Sequence, residues 1–231
     1  MIIAITGTNT DVGKTVATAA IASVLQRRGI DVVAAKPIQT GEAPGQGDAS
    51  AVAKLAGVRT FERWRYPEPL APNLAARRAG IATPPLAQVA EWVRSLDAPG
   101  RVVLVEGAGG LLVRLADDYT LVDIAKAVDA PLVVVTSLGL GSLNLAELTC
   151  VQARAAGLEV LGLIGGSMPD DPDLPTRLNV AELPEVTGAE YFGHLPAGCG
   201  TLGTEAFAEV AWEAVGEATG EAVAARVGSR A

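Results

Sequence analysis

The sequence predicts an α/β sandwich in which a mostly parallel central sheet is flanked by helices. Three observations carry that reading. Short β-branched runs alternate with Ala- and Leu-rich stretches of helical length, the order that gives parallel strands joined by crossover helices. Four of the strand runs are continuously apolar, as strands buried on both faces should be. A glycine-rich segment carrying a Lys-Thr pair follows the first run directly and opens the first helix.

Taken in order, strands are expected at residues 2–6, 31–36, 102–106, 132–136 and 160–165, with a sixth at 190–194. Helices are expected at 15–28, where Gly29 suits the C′ position, and at 48–55, 86–96, 121–128, 143–156 and 204–226. Three Pro/Gly-rich loops fall at 37–47, 65–72 and 168–175. Ligands of open parallel sheets gather at the carboxyl ends of the strands, so the residues just after each strand are the functional candidates. No repeat or linker divides the 231 residues, and one domain spanning 1–231 is expected, with 224–231 as a disordered tail.

Composition narrows the function. With 49% hydrophobic residues the chain can bury a real core. The balance of 18 basic against 26 acidic residues, with no basic run longer than a pair, argues against nucleic acid, whose binding depends on phosphate neutralisation. Only four of the basic residues are lysines: Lys14, Lys36, Lys54 and Lys126. The one histidine, His194, excludes a two-histidine zinc helix and reads as structural or surface. Cys150 and Cys199 form no C-x-x-C pair and read as free thiols. No G-x-S-x-G surrounds a serine. The segment Met1-Ile2-Ile3-Ala4-Ile5-Thr6 has no basic n-region and reads as a strand rather than a secretory signal. The uncharged stretch 130–146 falls short of the ~20 apolar residues of a membrane helix and is broken by Pro131, Gly139 and Gly141. A cytoplasmic protein with no membrane partner is expected.

The first loop reads Gly7-Thr8-Asn9-Thr10-Asp11-Val12-Gly13-Lys14-Thr15. It resembles the Walker A loop, although five residues rather than four separate its outer glycines. Glycines let successive N–H groups point at phosphate oxygens, and the helix N-terminus adds positive charge. Lys14 can reach the β/γ oxygens, and the Thr15 hydroxyl can hold Mg²⁺. A plain strand-to-helix turn is the bland alternative, but strand, Gly-Lys-Thr and helix all fall in the required context. The longer spacing resembles the branch of P-loop NTPase-like sandwiches that includes dethiobiotin synthetase, the partition-type ATPases and the nitrogenase iron protein.

Other strand ends supply further candidates. The second carries Lys36-Pro37-Ile38-Gln39-Thr40-Gly41. Asp48, at the next helix start, suits either an N-cap or a Mg²⁺ ligand. The third apolar strand ends in Glu106-Gly107-Ala108-Gly109-Gly110, where a carboxylate has little packing reason to be. Two ammonium groups and a divalent cation would offset a triphosphate and an acidic reaction partner, with Thr15, Asp48 and Glu106 around the metal.

On these motifs, and on Leu138-Gly139-Leu140-Gly141-Ser142-Leu143-Asn144, the chain is similar along nearly its whole length to the dethiobiotin synthetases, ATP-dependent cyclo-ligases of biotin synthesis. Partition-type ATPases, the alternative reading of a regulatory ATPase acting through a protein partner, usually carry a second lysine where Thr8 and Asn9 stand. The resemblance implies a reaction. One amine of 7,8-diaminononanoate takes up CO₂ as a carbamate, ATP phosphorylates it, and the second amine closes the ureido ring. It implies Lys14, Lys36 and Thr10 at the reacting groups, and Asp11, Val12, Gly13, Thr15 and Val16 around the phosphates together with Asp48, Glu106, Gly107, Ala108 and Gly109. It further implies Thr40, Gly109, Gly110, Leu143 and Asn144 at the diamine, with Leu143 and Asn144 serving the carboxylate of the partner subunit's substrate in a homodimer. Asn144 could equally be an ordinary N-cap. Gly166, Ser167, Pro196, Ala197 and Gly198 are implied at the base, Ser167 standing near the asparagine of many members.

Overall fold

The computed structural model describes residues 1–229, with side chains described through Arg226. Seven strands, β1 (Ile2–Gly7), β2 (Asp31–Thr40), β3 (Arg59–Tyr66), β4 (Arg101–Gly110), β5 (Leu132–Thr136), β6 (Val160–Met168) and β7 (Tyr191–Pro196), make one sheet. Its order is β3-β2-β4-β1-β5-β6-β7, and every pairing is parallel rather than mostly so. The chain leaves the central β1 toward β2 on one side and later fills β5 to β7 on the other. This reversal opens a crevice at the carboxyl end of β1, where open α/β sheets bind ligands.

Side chains alternate across the sheet. Ile3 and Ile5 of β1 face a core shared with α1 (Lys14–Arg27), α2 (Asp48–Ala56) and α8 (Thr204–Ser229). Ile2 and Ala4 face the opposite core, with α3 (Pro72–Ala79), α4 (Leu86–Ser95) and α5 (Leu121–Ala127). On that side α6 (Ser142–Ala155) and α7 (Leu174–Thr187) add a smaller cluster against Val134 and Leu163. Burial on both faces explains why the inner strands are apolar throughout.

Three elements depart from the expectation. Strand β3 lies at the sheet edge and reads Arg-Thr-Phe-Glu-Arg-Trp-Arg-Tyr, with charges blunting the exposed edge instead of an apolar run. The expected loop 65–72 therefore holds the end of this strand and the start of α3, whose Pro72 occupies a tolerated first position. Helix α7 carries an interior Pro184, a residue that normally breaks a helix; Asp173 caps it by accepting the Thr176 N–H at 2.9 Å. Of the expected tail, 224–229 belong to α8, while 230–231 lie outside the described residues. No helix among the described residues is long and apolar enough to cross a membrane.

Candidate active site

The glycine loop links β1 to α1, with Gly13 at the N-cap in a left-handed conformation (φ 93°). Asp11 is likewise left-handed (φ 58°), an uncommon state for a residue with a Cβ and one that tight turns can impose. Behind the loop, Gly166 of β6 presses against Val12: a Cβ on Gly166 would lie 1.7 Å from the Val12 carbonyl oxygen. Only glycine permits that approach, and it fixes the loop from below. Lys14 is buried, and its Nζ donates to the Asn9 carbonyl oxygen at 3.2 Å. Burial, then the positive charge of Lys36, lower its pKa.

From β2 and β4 come Lys36 and Glu106, each 3% exposed. Lys36 Nζ lies 2.5 Å from Asp48 Oδ2, 3.1 Å from Glu106 Oε1 and 2.7 Å from the Gly107 carbonyl oxygen. These three acceptors match its three N–H donors. Burial alone would push the Lys36 pKa down, but the two carboxylates outweigh it and hold the ammonium form above its ordinary range. Burial works to raise Asp48; the charge and hydrogen bond of Lys36, with the Thr15 hydroxyl, overcome it and keep the carboxyl below its usual range.

Asp48 is not an N-cap. Gly47 holds that position, and Asp48 is the first residue of α2, with its carboxylate turned toward Lys36 and Thr15. Thr15 Oγ1 lies 3.1 Å from Asp48 Oδ1 and 3.0 Å from Glu106 Oε1. A hydroxyl has one proton and can satisfy only one of these carboxylates. The set is three hard oxygens converging on one place, which suits Mg²⁺. Among the described residues no group of three or more His, Cys, Asp or Glu could cage an ion. Thr18, which sequence reasoning missed, lies 2.9 Å from Glu106 Oε2 and fixes the rear of that carboxylate. It stands one helical turn after Lys14, the spacing that could have revealed it.

Thr10, Asp11, Gly13, Lys14, Thr15, Val16, Lys36, Thr40, Asp48, Glu106, Ala108 and Gly109 all line one cavity of about 870 Å³. Ile38, Gln39, Glu42, Pro69, Leu70, Ala71, Pro72 and Val113 complete its walls. The remaining candidates stand outside the lining. Val12 is buried in the core, and Gly107 offers its carbonyl to Lys36. Gly110 borders a neighbouring apolar hollow with Thr10, Leu112, Leu145 and Leu148. Asn144 is exposed in the first turn of α6, whose N-cap is Gly141, so the N-cap reading of Asn144 fails. Asn179 of α7, also missed, donates to the carbonyl oxygens of Leu138 and Gly139 at 2.9 and 2.8 Å and steadies the approach to this helix. Ser167, Pro196, Ala197 and Gly198 lie at the exposed carboxyl ends of β6 and β7, joined by the Ala197 N–H to the Met168 carbonyl oxygen at 2.7 Å. His194 pairs with the Tyr191 hydroxyl at 3.3 Å, a structural role, and burial lowers its pKa.

Comparison with known proteins gives the family and the fold. Residues 2–198 match a family model described as an AAA domain. Among solved structures, the cell division ATPase MinD of Pyrococcus furiosus superposes with a TM-score of 0.57 at 17% identity, covering 97% of this chain and 98% of that one. A ParA family ATPase from Chlorobium tepidum gives 0.55 at 15% identity, covering 96% and 97%. At such identities the likeness is one of fold. The sequence relatives are far nearer. ATP-dependent dethiobiotin synthetase BioD of Corynebacterium efficiens is 60% identical over 201 residues, 87% of this chain and 91% of the relative. That of Rhodococcus jostii is 53% identical over 213 residues, 91% and 92% of the two chains. With relatives this similar over nearly their full length, the chain belongs to the ATP-dependent dethiobiotin synthetase family.

Proposed function

We propose that this protein is an ATP- and Mg²⁺-dependent cyclo-ligase that makes dethiobiotin from 7,8-diaminononanoate and CO₂, working as a cytoplasmic homodimer. The observation that carries the reading is Lys36: a buried ammonium, kept charged by two carboxylates, in the same cavity as the phosphate-loop lysine. Phosphoryl transfer needs positioning and charge stabilisation more than a general base, and the cavity offers those.

The chemistry balances with the groups present. An amine nitrogen attacks CO₂ and loses a proton, leaving a carbamate. A carbamate oxygen attacks the γ-phosphorus and ADP departs. The second amine then attacks the carbonyl carbon, phosphate leaves, and the amine's proton passes to solvent. Lys14 faces the transferring phosphoryl group from the helix N-terminus. Turning Asp48 away from Lys36 frees one N–H of that lysine for a carbamate oxygen. Thr15, Asp48 and Glu106 would hold Mg²⁺, which supplies charge neutralisation across the phosphates. Thr10 and Thr40 line the same cavity, and Thr40 would contact the diamine.

Leu112 and Leu148 leave more than half of their surface exposed around the hollow beside Thr10. This apolar patch supports the homodimer, with Leu143 and Asn144 at the interface; sedimentation should give twice the chain mass. The activity is tested by supplying ATP, bicarbonate and the diamine and measuring dethiobiotin and ADP together. One ADP per dethiobiotin is expected. ATP turnover that ignores the diamine would overturn the reading and favour the ATPase acting through a protein partner.

A further inference from the structure

Arg65 stands near the end of the edge strand β3 and is not among the residues lining the cavity. Its guanidinium is engaged with the loop 41–47, which leads from Thr40 to Asp48. Nη1 donates to the carbonyl oxygens of Glu42 and Ala43, the latter at 2.9 Å, and Nη2 to that of Gln46 at 2.8 Å. Nε and Nη2 also donate to the two carboxylate oxygens of Glu62, at 2.8 and 2.7 Å. A guanidinium has five N–H groups, and these five bonds use all of them. Anion binding, the ordinary reading of an arginine near a phosphate site, is therefore closed to Arg65.

The far end of the loop is held from β2. Gln39 Oε1 accepts the Asp48 N–H at 3.0 Å, and its Nε2 donates to the Thr40 carbonyl oxygen at 3.0 Å. Gly47, with φ 107°, packs so closely on that amide that a Cβ would fall 2.8 Å from Gln39 Cδ. The loop thus has no regular structure of its own, yet it is tied from both neighbouring strands. What it delivers is Asp48, whose carboxylate meets both Lys36 and Thr15.

We propose that Arg65 is a positioning residue: by binding three loop carbonyls to Glu62, it holds residues 41–47 in the shape that presents the Asp48 carboxylate to the cation site. This rests on the reading of Asp48 as a metal ligand. Partners that orient a ligand typically govern about 10- to 100-fold in metal affinity. A lysine cannot replace the fork, because its single nitrogen cannot span the loop and the carboxylate together.

The test compares Arg65→Ala, Arg65→Lys and Asp48→Asn with the parent chain. Two readouts are taken: amide hydrogen exchange across 41–48 without ligand, and Mn²⁺ affinity in the presence of ADP, followed by electron paramagnetic resonance. Arg65→Ala should speed exchange at the Asp48 amide and weaken Mn²⁺ by about tenfold or more. Arg65→Lys should shift both in the same direction by less, and it decides the matter alone should the alanine variant not fold. Unchanged Mn²⁺ affinity in the folded Arg65 variants, with Asp48→Asn weakened, overturns the proposal and leaves the metal reading standing. Unchanged affinity in Asp48→Asn overturns both.

Discussion

The two ends of this site are built on opposite principles. The end around Lys36 is a lattice of side chains. Lys36, Glu106, Asp48, Thr15 and Thr18 interlock, and each buried charge is tolerable because a neighbour answers it. The other end, at β6 and β7, is backbone. Gly166 presses on the Val12 carbonyl, and Ala197 bonds to Met168 through main-chain atoms. The first end should fail when a group is removed, the second when an atom is added.

The largest effect should come from Glu106→Ala, which strips Lys36, Thr15 and Thr18 of a shared acceptor. Removing one partner of a buried ion pair typically costs about 3–5 kcal/mol, readable by urea unfolding. An effect under about 1 kcal/mol, the scale of exposed pairs, would show that water already screens the cluster.

Next comes Gly166→Ala. One added methyl group drives into the Val12 carbonyl, and overpacking of this kind costs about 1–3 kcal/mol. Because the displaced atoms belong to the phosphate loop, ADP should stabilise the variant less than the parent in thermal melts. Equal stabilisation by ADP would mean that the loop adapts freely.

Asp48→Asn should cost stability mainly at neutral pH and little in acid. The Asp48 pKa is lowered in the folded chain, so its stabilising contribution is present above the unfolded pKa and is lost as pH falls through the folded value. The asparagine variant should show a flatter acid limb in stability against pH, and an unchanged limb would remove Asp48 from the ion-pair cluster. The smallest effect belongs to the β6–β7 end. Ser167→Ala touches an exposed residue and should change stability by less than about 0.5 kcal/mol.

How much of this could be read in the sequence follows the same division. The phosphate loop, Lys36, Asp48 and Glu106 were legible because their chemistry dictates residue type and place, at strand ends or, for Asp48, at a helix start, and the cavity brings them together. Edge strand β3 was hidden, since a charged edge lacks the apolar run that marks the inner strands. The interior Pro184 concealed α7, although Asp173 and Pro175 form a fair helix start. Arg65 left no signal, because its loop partners are backbone carbonyls that any residue could supply. Gly166 was legible as a glycine at a strand end, but its contact with Val12 needs the three-dimensional chain.

The most direct measurement is made on Lys36→Ala, with dethiobiotin formation and ADP affinity taken from one preparation. If Lys36 serves the carbamate and the transferring group, turnover should fall by at least about 10²- to 10³-fold, the typical cost of one lost charge-stabilising donor. ADP affinity should meanwhile stay within about threefold, which is under 1 kcal/mol. A tenfold or greater loss of ADP affinity, in step with turnover, would put the Lys36 charge on the nucleotide and contradict its role at the reacting carbamate.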